Sequence, residues 1–290
     1  MNAALATIRA YYELSKPRII VLLLITTIAA MVMAARGIPP IATLCWTVIG
    51  GALAAASAGA LNCVYDSDVD ILMERTRKRP IPTGRITLLR ATLFAIACGV
   101  VSFLIFYSLV NPLAAWLSLA GNVYYVAIYT MWLKRITPLN IVIGGAAGAV
   151  PPLVGWAAVT HAIGGPALGL FALIFLWTPP HFWSLALTTE IDYSKAHIPM
   201  LPNVSGEERT KREIVYYTIL LVVASLILYP LHVMGALYFA GAAVLGGIFI
   251  LDAIRTWRDS TGQTARRLFR YSLLYLALMC VVMVIDRIVA

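Results

Sequence analysis

Asn62, Asp66 and Asp70 stand four residues apart in the run Asn62-Cys63-Val64-Tyr65-Asp66-Ser67-Asp68-Val69-Asp70. On a helix each step of four advances about 40°, so the three side chains share one face over two turns while Asp68 points elsewhere. Three stacked oxygen ligands suit a hard cation such as Mg²⁺, which favours carboxylates together with substrate phosphate. The chain runs on into Glu74-Arg75-Thr76-Arg77-Lys78-Arg79-Pro80. Acidic ligands followed by clustered Arg and Lys fit an anion bridged through metal, with Arg donating forked hydrogen bonds to phosphate oxygens.

A second polar cluster holds His181, Thr188, Glu190, Asp192, Tyr193, Lys195 and His197. Asp192 lies four after Thr188 and repeats the spacing in weaker form, and Lys134 and Arg135 could complete a basic wall. Plainer readings stand beside these. The acids could merely pair with Arg75–Arg79 at a lipid interface, although carboxylates so dense at a membrane edge are usually functional. The Arg run alone could be an orientation signal, and Asp192 a loop acid or helix cap. Tyr124, Tyr125, Tyr129 and Trp132 suit an interface belt as well as a pocket lining. Gly144, Gly145 and Gly148 suit close helix packing, and Pro151-Pro152 and Pro179-Pro180 local bends.

What must position these residues follows from composition. Of 290 residues, 61% are hydrophobic and 12% charged, whereas a soluble domain is near 45–50% apolar and roughly 25% charged. No soluble core absorbs that excess, because a folded soluble protein needs a polar surface. Disordered, fibrous and disulfide-scaffold proteins are excluded too; the four cysteines are scattered, without metal-type spacing. The fold class predicted is all-α, a polytopic membrane helical bundle forming one domain over residues 1–290. Apolar runs predict nine transmembrane helices, roughly Ile19–Ala35, Ile41–Leu61, Leu88–Val110, Leu113–Leu133, Leu139–Val159, Ala167–Leu187, Ile214–Leu231, Val233–Ile254 and Leu268–Val289. The first reads as a span rather than a cleaved signal peptide, because its apolar run is long and Glu13 precedes it.

With nine spans, every Lys and Arg except Arg36 and Arg287 falls on one side, which the positive-inside rule makes cytoplasmic, along with the N-terminus. Every acid except Asp286 falls there too. The net charge of +9 therefore reads as orientation beside anionic lipid and as anion binding, with no nucleic acid implied. An ion transporter is the competing class, but transporters hold their charges near the midplane, and here the acids gather at one face.

The motifs resemble the intramembrane prenyltransferases of the UbiA type, and among them the haem-modifying branch. The carriers are Asn62-x-x-x-Asp66-x-x-x-Asp70 with Met73-x-Arg75-Thr76-x-x-Arg79-Pro80, and Tyr129-Thr130-x-x-Leu133-Lys134-Arg135-x-Thr137-Pro138. Gly144-Gly145-Ala146-Ala147-Gly148-Ala149-Val150-Pro151-Pro152, Trp177-Thr178-Pro179-Pro180-His181-Phe182-Trp183 and Asp192-Tyr193-x-Lys195-Ala196-x-Ile198-Pro199 complete the match. The resemblance covers nearly the whole chain. It implies transfer of the farnesyl group of farnesyl diphosphate to a vinyl group of haem B with addition of water, giving haem O. It also implies Mg²⁺, one ion or two, on Asn62, Asp66, Asp70 and Asp192. Arg75, Arg79, Lys134, Arg135 and Lys195 would bind diphosphate, Tyr125 and Tyr129 would face the prenyl cation, and His181 and His197 would contact haem. Thr188 stands where most members carry the first Asp of a second metal motif, which leaves that site short of a carboxylate. A sibling enzyme acting on an aromatic or quinone precursor is the alternative. The setting implied is the bacterial cytoplasmic (inner) membrane with the active site facing the cytoplasm. Haem A synthase or the terminal oxidase assembly machinery are further partners it implies.

Overall fold

A computed structural model describes residues 3–259 and 263–289, with the backbone alone for residues 3 and 190–192. Every regular element among the described residues is helical. A surface helix α1 (Ala3–Leu14) turns Ala10 and Leu14 inward and leaves Leu5, Ile8 and Tyr12 exposed. Lys16 then adopts a left-handed backbone, and Pro17, whose fixed φ suits a first helical turn, starts α2 (Pro17–Ala35). The long α3 (Ile41–Tyr65) ends at Asp66 and a single turn, α4 (Ser67–Asp70), follows. Helix α5 (Leu88–Ile105), capped by Thr87, passes into a π-helical stretch through Val110. The Asn111 side chain accepts from the Ala114 amide to start α6 (Pro112–Val123), which widens into a π-helix over Tyr124–Trp132. The remainder comprises α7 (Asn140–Thr160), α8 (Gly165–Thr188), the short α9 (Glu190–Lys195) and α10 (Leu201–Ser205), then α11 (Glu207–Ile227), α12 (Ala236–Arg258) and α13 (Gln263–Val289).

Seven of these helices are long and apolar enough to cross a membrane, and they match seven of the nine expected spans. The other two expected spans are present as helix but fall short by that measure. Pro112–Trp132 divides into a 12-residue α-helix and its π-helical continuation. In α11 the first two turns carry Glu207, Glu208, Arg209, Lys211, Arg212 and Glu213, so the apolar part is shorter than a bilayer needs. Together the apolar helices make a multi-pass membrane protein.

The largest apolar core lies where α2, α7, α8, α11, α12 and α13 meet, around Trp183, Tyr238, Phe249 and Tyr275. Small residues let backbones approach: a Cβ on Gly155 of α7 would stand 2.2 Å from the Thr27 carbonyl oxygen of α2. Gly144 and Gly145 likewise abut Tyr129 and Thr178, whereas Gly148 has open space around it and packs nothing closely. Asp286 is buried and accepts from the Gly235 and Tyr238 amides, so a carboxylate answers the free N–H groups where α12 begins.

Candidate active site

Asn62, Asp66 and Asp70 lie at the end of α3 and in α4, joined by backbone bonds from the Asp66 amide to Asn62 and from the Asp70 amide to Asp66. That preserves the four-residue repeat across the break between the helices. All three side chains are buried, while Asp68 is 61% exposed. Asn62 Nδ2 donates to Asp66 Oδ2 at 2.8 Å and to Thr130 Oγ1 at 3.1 Å. Three cations meet the three residues. Lys16 Nζ donates to Asn62 Oδ1, Lys134 Nζ to Asp66 Oδ2, and Arg79 Nη1 to both Asp70 oxygens at 2.8 and 2.6 Å. The Thr76 hydroxyl donates to the Asp70 carbonyl and folds the basic loop back over α4.

The cluster holds three basic side chains against two carboxylates, with little water to screen them. A surplus of positive charge in such a setting is an anion site. One oxygen is left over: Asp66 Oδ1 is buried without a hydrogen-bond partner, with Arg135 Nη2 at 3.9 Å. Buried polar atoms are nearly always satisfied, so an orphan carboxylate oxygen calls for a ligand.

Lys16 was counted in the sequence only toward orientation. Its side chain crosses from the start of α2 to Asn62, 46 residues away, and burial pulls its ammonium below the ordinary lysine range against the neighbouring carboxylates. The local signal was a Lys-Pro pair before the first apolar run, which does not name a partner. Thr130 was missed in the same way.

Arg135 stands beside the cluster with its guanidinium committed to Asp68. Its guanidinium clasps Asp68 at 2.7 and 2.8 Å, donates to the Tyr65 carbonyl and lies 4.6 Å from the Tyr65 ring centre. The Asp68 carboxyl is held below the usual carboxylate range by Arg135. Asp68 therefore orders the exposed side of α4 by anchoring an arginine beside Asp66.

Other expected site residues are spread around this cluster. Arg75 is exposed and engaged with the protein, and Lys195 and His197 are exposed at and after the end of α9. The side chain of Asp192 lies outside the described residues, so its part in a metal site stays an expectation. Tyr125 and Tyr129 pack with ring centres 5.4 Å apart, and Tyr129 lies against the buried group of Val69, Met73, Ile141 and Tyr193. The π-helical turn that carries them rotates successive side chains away from ordinary helical register, a device frequent at functional sites. His181 is buried between α8 and α13, stacked on Trp177 and Phe269.

The UbiA prenyltransferase family model matches residues 23–279. The chain belongs to the UbiA prenyltransferase family. Relatives in the family include a protoheme IX farnesyltransferase of Synechocystis, 53% identical over 284 residues that cover 97% of this chain and 90% of the relative. The protein of that name from Gloeobacter violaceus is 52% identical, covering 98% and 93%. Among solved structures, a digeranylgeranylglyceryl phosphate synthase superposes with a TM-score of 0.81 at 18% identity, covering 98% of this chain and 99% of that one. A UbiA homologue from Archaeoglobus fulgidus, bound to DMAPP and Mg²⁺, superposes at 0.66 with 18% identity, covering 94% and 98%. At that identity the superpositions speak for the family's helical fold.

Proposed function

We propose that this chain transfers the farnesyl group of farnesyl diphosphate to a vinyl group of haem B, with addition of water, giving haem O and diphosphate. The observation that carries the reaction class is the buried Asn62-Asp66-Asp70 face with Lys16, Lys134 and Arg79 on its oxygens. Prenyl donor and haem acceptor follow from relatives at 51–53% identity that bear the name protoheme IX farnesyltransferase. The family's Archaeoglobus structure with DMAPP and Mg²⁺ supports a diphosphate held with metal.

Mg²⁺ fits this donor set: Asp66 Oδ1 is a buried oxygen without a hydrogen-bond partner, and one turn to either side stand the Asn62 and Asp70 oxygens that Lys16 and Arg79 hold in this structure. Asp192 would add a further carboxylate. When bound there, Mg²⁺ supplies Lewis-acid neutralisation of the diphosphate. The chain's own cations do the rest. Lys16, Lys134 and Arg79 donate to diphosphate oxygens, with Arg75, Arg135 and Lys195 at the rim, and their fixed charge favours the negative charge that develops as the allylic C–O bond breaks. The apolar helices keep bulk water from the farnesyl cation, whose charge the ring faces of Tyr125 and Tyr129 stabilise. The vinyl π electrons form the new bond to the farnesyl carbon. The cation left on the haem side chain takes the oxygen of one water, which releases a proton, so atoms and charge balance.

The chain works as one domain, with its N-terminus and active site on the cytoplasmic side of a bacterial inner membrane. Mass spectrometry of haems from cells with and without the gene tests the reading. A mass gain on haem B equal to a hydroxyfarnesyl group is expected. Prenylated hydroxybenzoate, with haem B unchanged, would instead establish the sibling activity on an aromatic acceptor. Full turnover by metal-stripped protein in chelator would refute the Mg²⁺ role.

A further inference from the structure

Helix α1 is apolar on two sides, and the chain itself covers only one of them. Ala10 and Leu14 pack inward with Ala60 and Cys63 of α3 and Ala91 and Ala95 of α5. The Tyr11 ring meets that of Phe94 with centres 5.0 Å apart. The opposite side carries Leu5, Ile8 and Tyr12, which stand 59%, 65% and 64% exposed. Steps of three and four residues put them on one helical face, so they form a continuous apolar stripe.

The level of that stripe is fixed by its neighbours. Ala60 and Cys63 belong to the last turns of the spanning helix α3, and Ala91 and Ala95 to the first turns of the spanning helix α5. Leu89 and Leu93, on the same turns of α5, face outward. Only Ser15 and Lys16 separate α1 from the spanning helix α2. Helix α1 is therefore held at the rim of the bilayer, on the side of the Asp66 cluster. Aliphatic side chains and a tyrosine ring belong at that level, part in hydrocarbon and part among headgroups.

The end of α1 leads into the site. Glu13 pairs with Arg85 of the loop before α5 at 2.7 Å and with Arg9 at 3.1 Å. The Ser15 hydroxyl and amide both donate to the Tyr11 carbonyl, at 2.9 and 3.1 Å. Lys16, the fourth residue after Tyr12, then takes its left-handed backbone. Its aliphatic stem runs over Gly59, where a Cβ would stand 3.6 Å from Lys16 Cδ, and its ammonium reaches Asn62 Oδ1. A shift of α1 away from α3 and α5 would carry Lys16 with it.

We propose that α1 is a membrane-surface strap. Leu5, Ile8 and Tyr12 embed in the headgroup–acyl boundary of the leaflet on the side of the site, and that hold keeps Lys16 on Asn62 and on the diphosphate. The docking stands on the exposure and level of α1; its effect on catalysis rests on the reading of the site as one for farnesyl diphosphate.

The test uses the full chain in nanodiscs of phosphatidylcholine and phosphatidylglycerol, with or without bromine on the acyl chains. Cys45, the exposed cysteine, is removed as C45S, and I8C carries an NBD fluorophore. Brominated lipid should quench its emission about twofold or more. L5S/Y12S should lose the quenching, and both positions are exposed, so the bundle stays folded. The same variant, without the label, should raise KM for farnesyl diphosphate about three- to tenfold with kcat within about twofold, because a diphosphate contact made equally before and during bond breaking falls on KM. K16M should raise KM likewise, and adding L5S/Y12S to K16M should change little, since the strap acts through Lys16. I38S, an exposed apolar residue beyond the other end of α2, should match wild type. A label that brominated lipid leaves unquenched, whether in water or shielded by a second copy of the chain, overturns the docking. L5S/Y12S that loses quenching but keeps the wild-type KM, or adds its full loss to that of K16M, overturns the coupling to Lys16. Quenching in a chain that turns over no farnesyl diphosphate supports the docking and overturns the reading of the site instead.

Discussion

Replacing Arg79 with Met isolates the contribution of one buried ion pair. Asp70 is 1% exposed, and Arg79 Nη1 reaches both its oxygens. At a charge separation of about 4 Å and an effective dielectric near 20, the attraction is about 4 kcal/mol. Stripping the partner from a buried charge costs about 3–5 kcal/mol. The Arg79 side chain is 24% exposed, so water partly reaches Asp70 in the variant and the lower end, about 3 kcal/mol, is expected. At about 2 °C per kcal/mol for a chain of this size, R79M should unfold about 6 °C below wild type by tryptophan fluorescence in detergent. D70N/R79M removes the orphan charge and should recover most of that loss. It should not recover farnesyl transfer, because the double variant lacks both the proposed metal ligand Asp70 and the proposed diphosphate donor Arg79. Added Mg²⁺ should stabilise R79M more than wild type, because the ion can balance the Asp70 carboxylate that the arginine has left. R79M with an unchanged unfolding temperature and near-normal turnover would refute the pair, and a double variant no more stable than R79M would refute the orphan-charge account.

Three further outcomes follow from other contacts. Asp68 has its carboxyl lowered by Arg135, so the clasp holds at neutral pH and through the ordinary carboxylate range, and lets go only as pH falls through the depressed value. D68N should abolish that acid-side fall in unfolding temperature, and an unchanged pH profile would count against the clasp. D286A removes the acceptor of the Gly235 and Tyr238 amides and should cost about 2 kcal/mol of stability, while turnover of the protein that stays folded is unchanged. G155A places a methyl 2.2 Å from the Thr27 carbonyl, and because backbone cannot step aside cheaply, a loss of about 3 kcal/mol is expected by thermal unfolding; wild-type stability would sink the close-approach argument for α2 and α7.

Local pattern carried much of this molecule. The four-residue repeat Asn62, Asp66, Asp70 was readable because its periodicity is that of the helix which holds it. Asp68 was readable as facing away for the same reason, though not as the partner of Arg135, which lies 67 residues on. Lys16 escaped because nothing near it in sequence distinguishes it from the other N-terminal basic residues; its meaning depends on Asn62. Among the expected spans, Leu113–Leu133 and Ile214–Leu231 fell short of the length and apolarity of the other seven, because an apolar count sees neither the π-helical widening after Val123 nor the end of α11 at Ile227.

By itself the sequence determined the solvent, the helical class and the shared face of Asn62, Asp66 and Asp70, since apolar content, run length and a period of 3.6 are properties of neighbouring residues. Only the tertiary structure decided which oxygen of Asp66 is left without a partner and which cations answer which acids. Each of those depends on a donor or acceptor brought in from another helix, and a local pattern holds no information about a side chain 46 or 68 residues away.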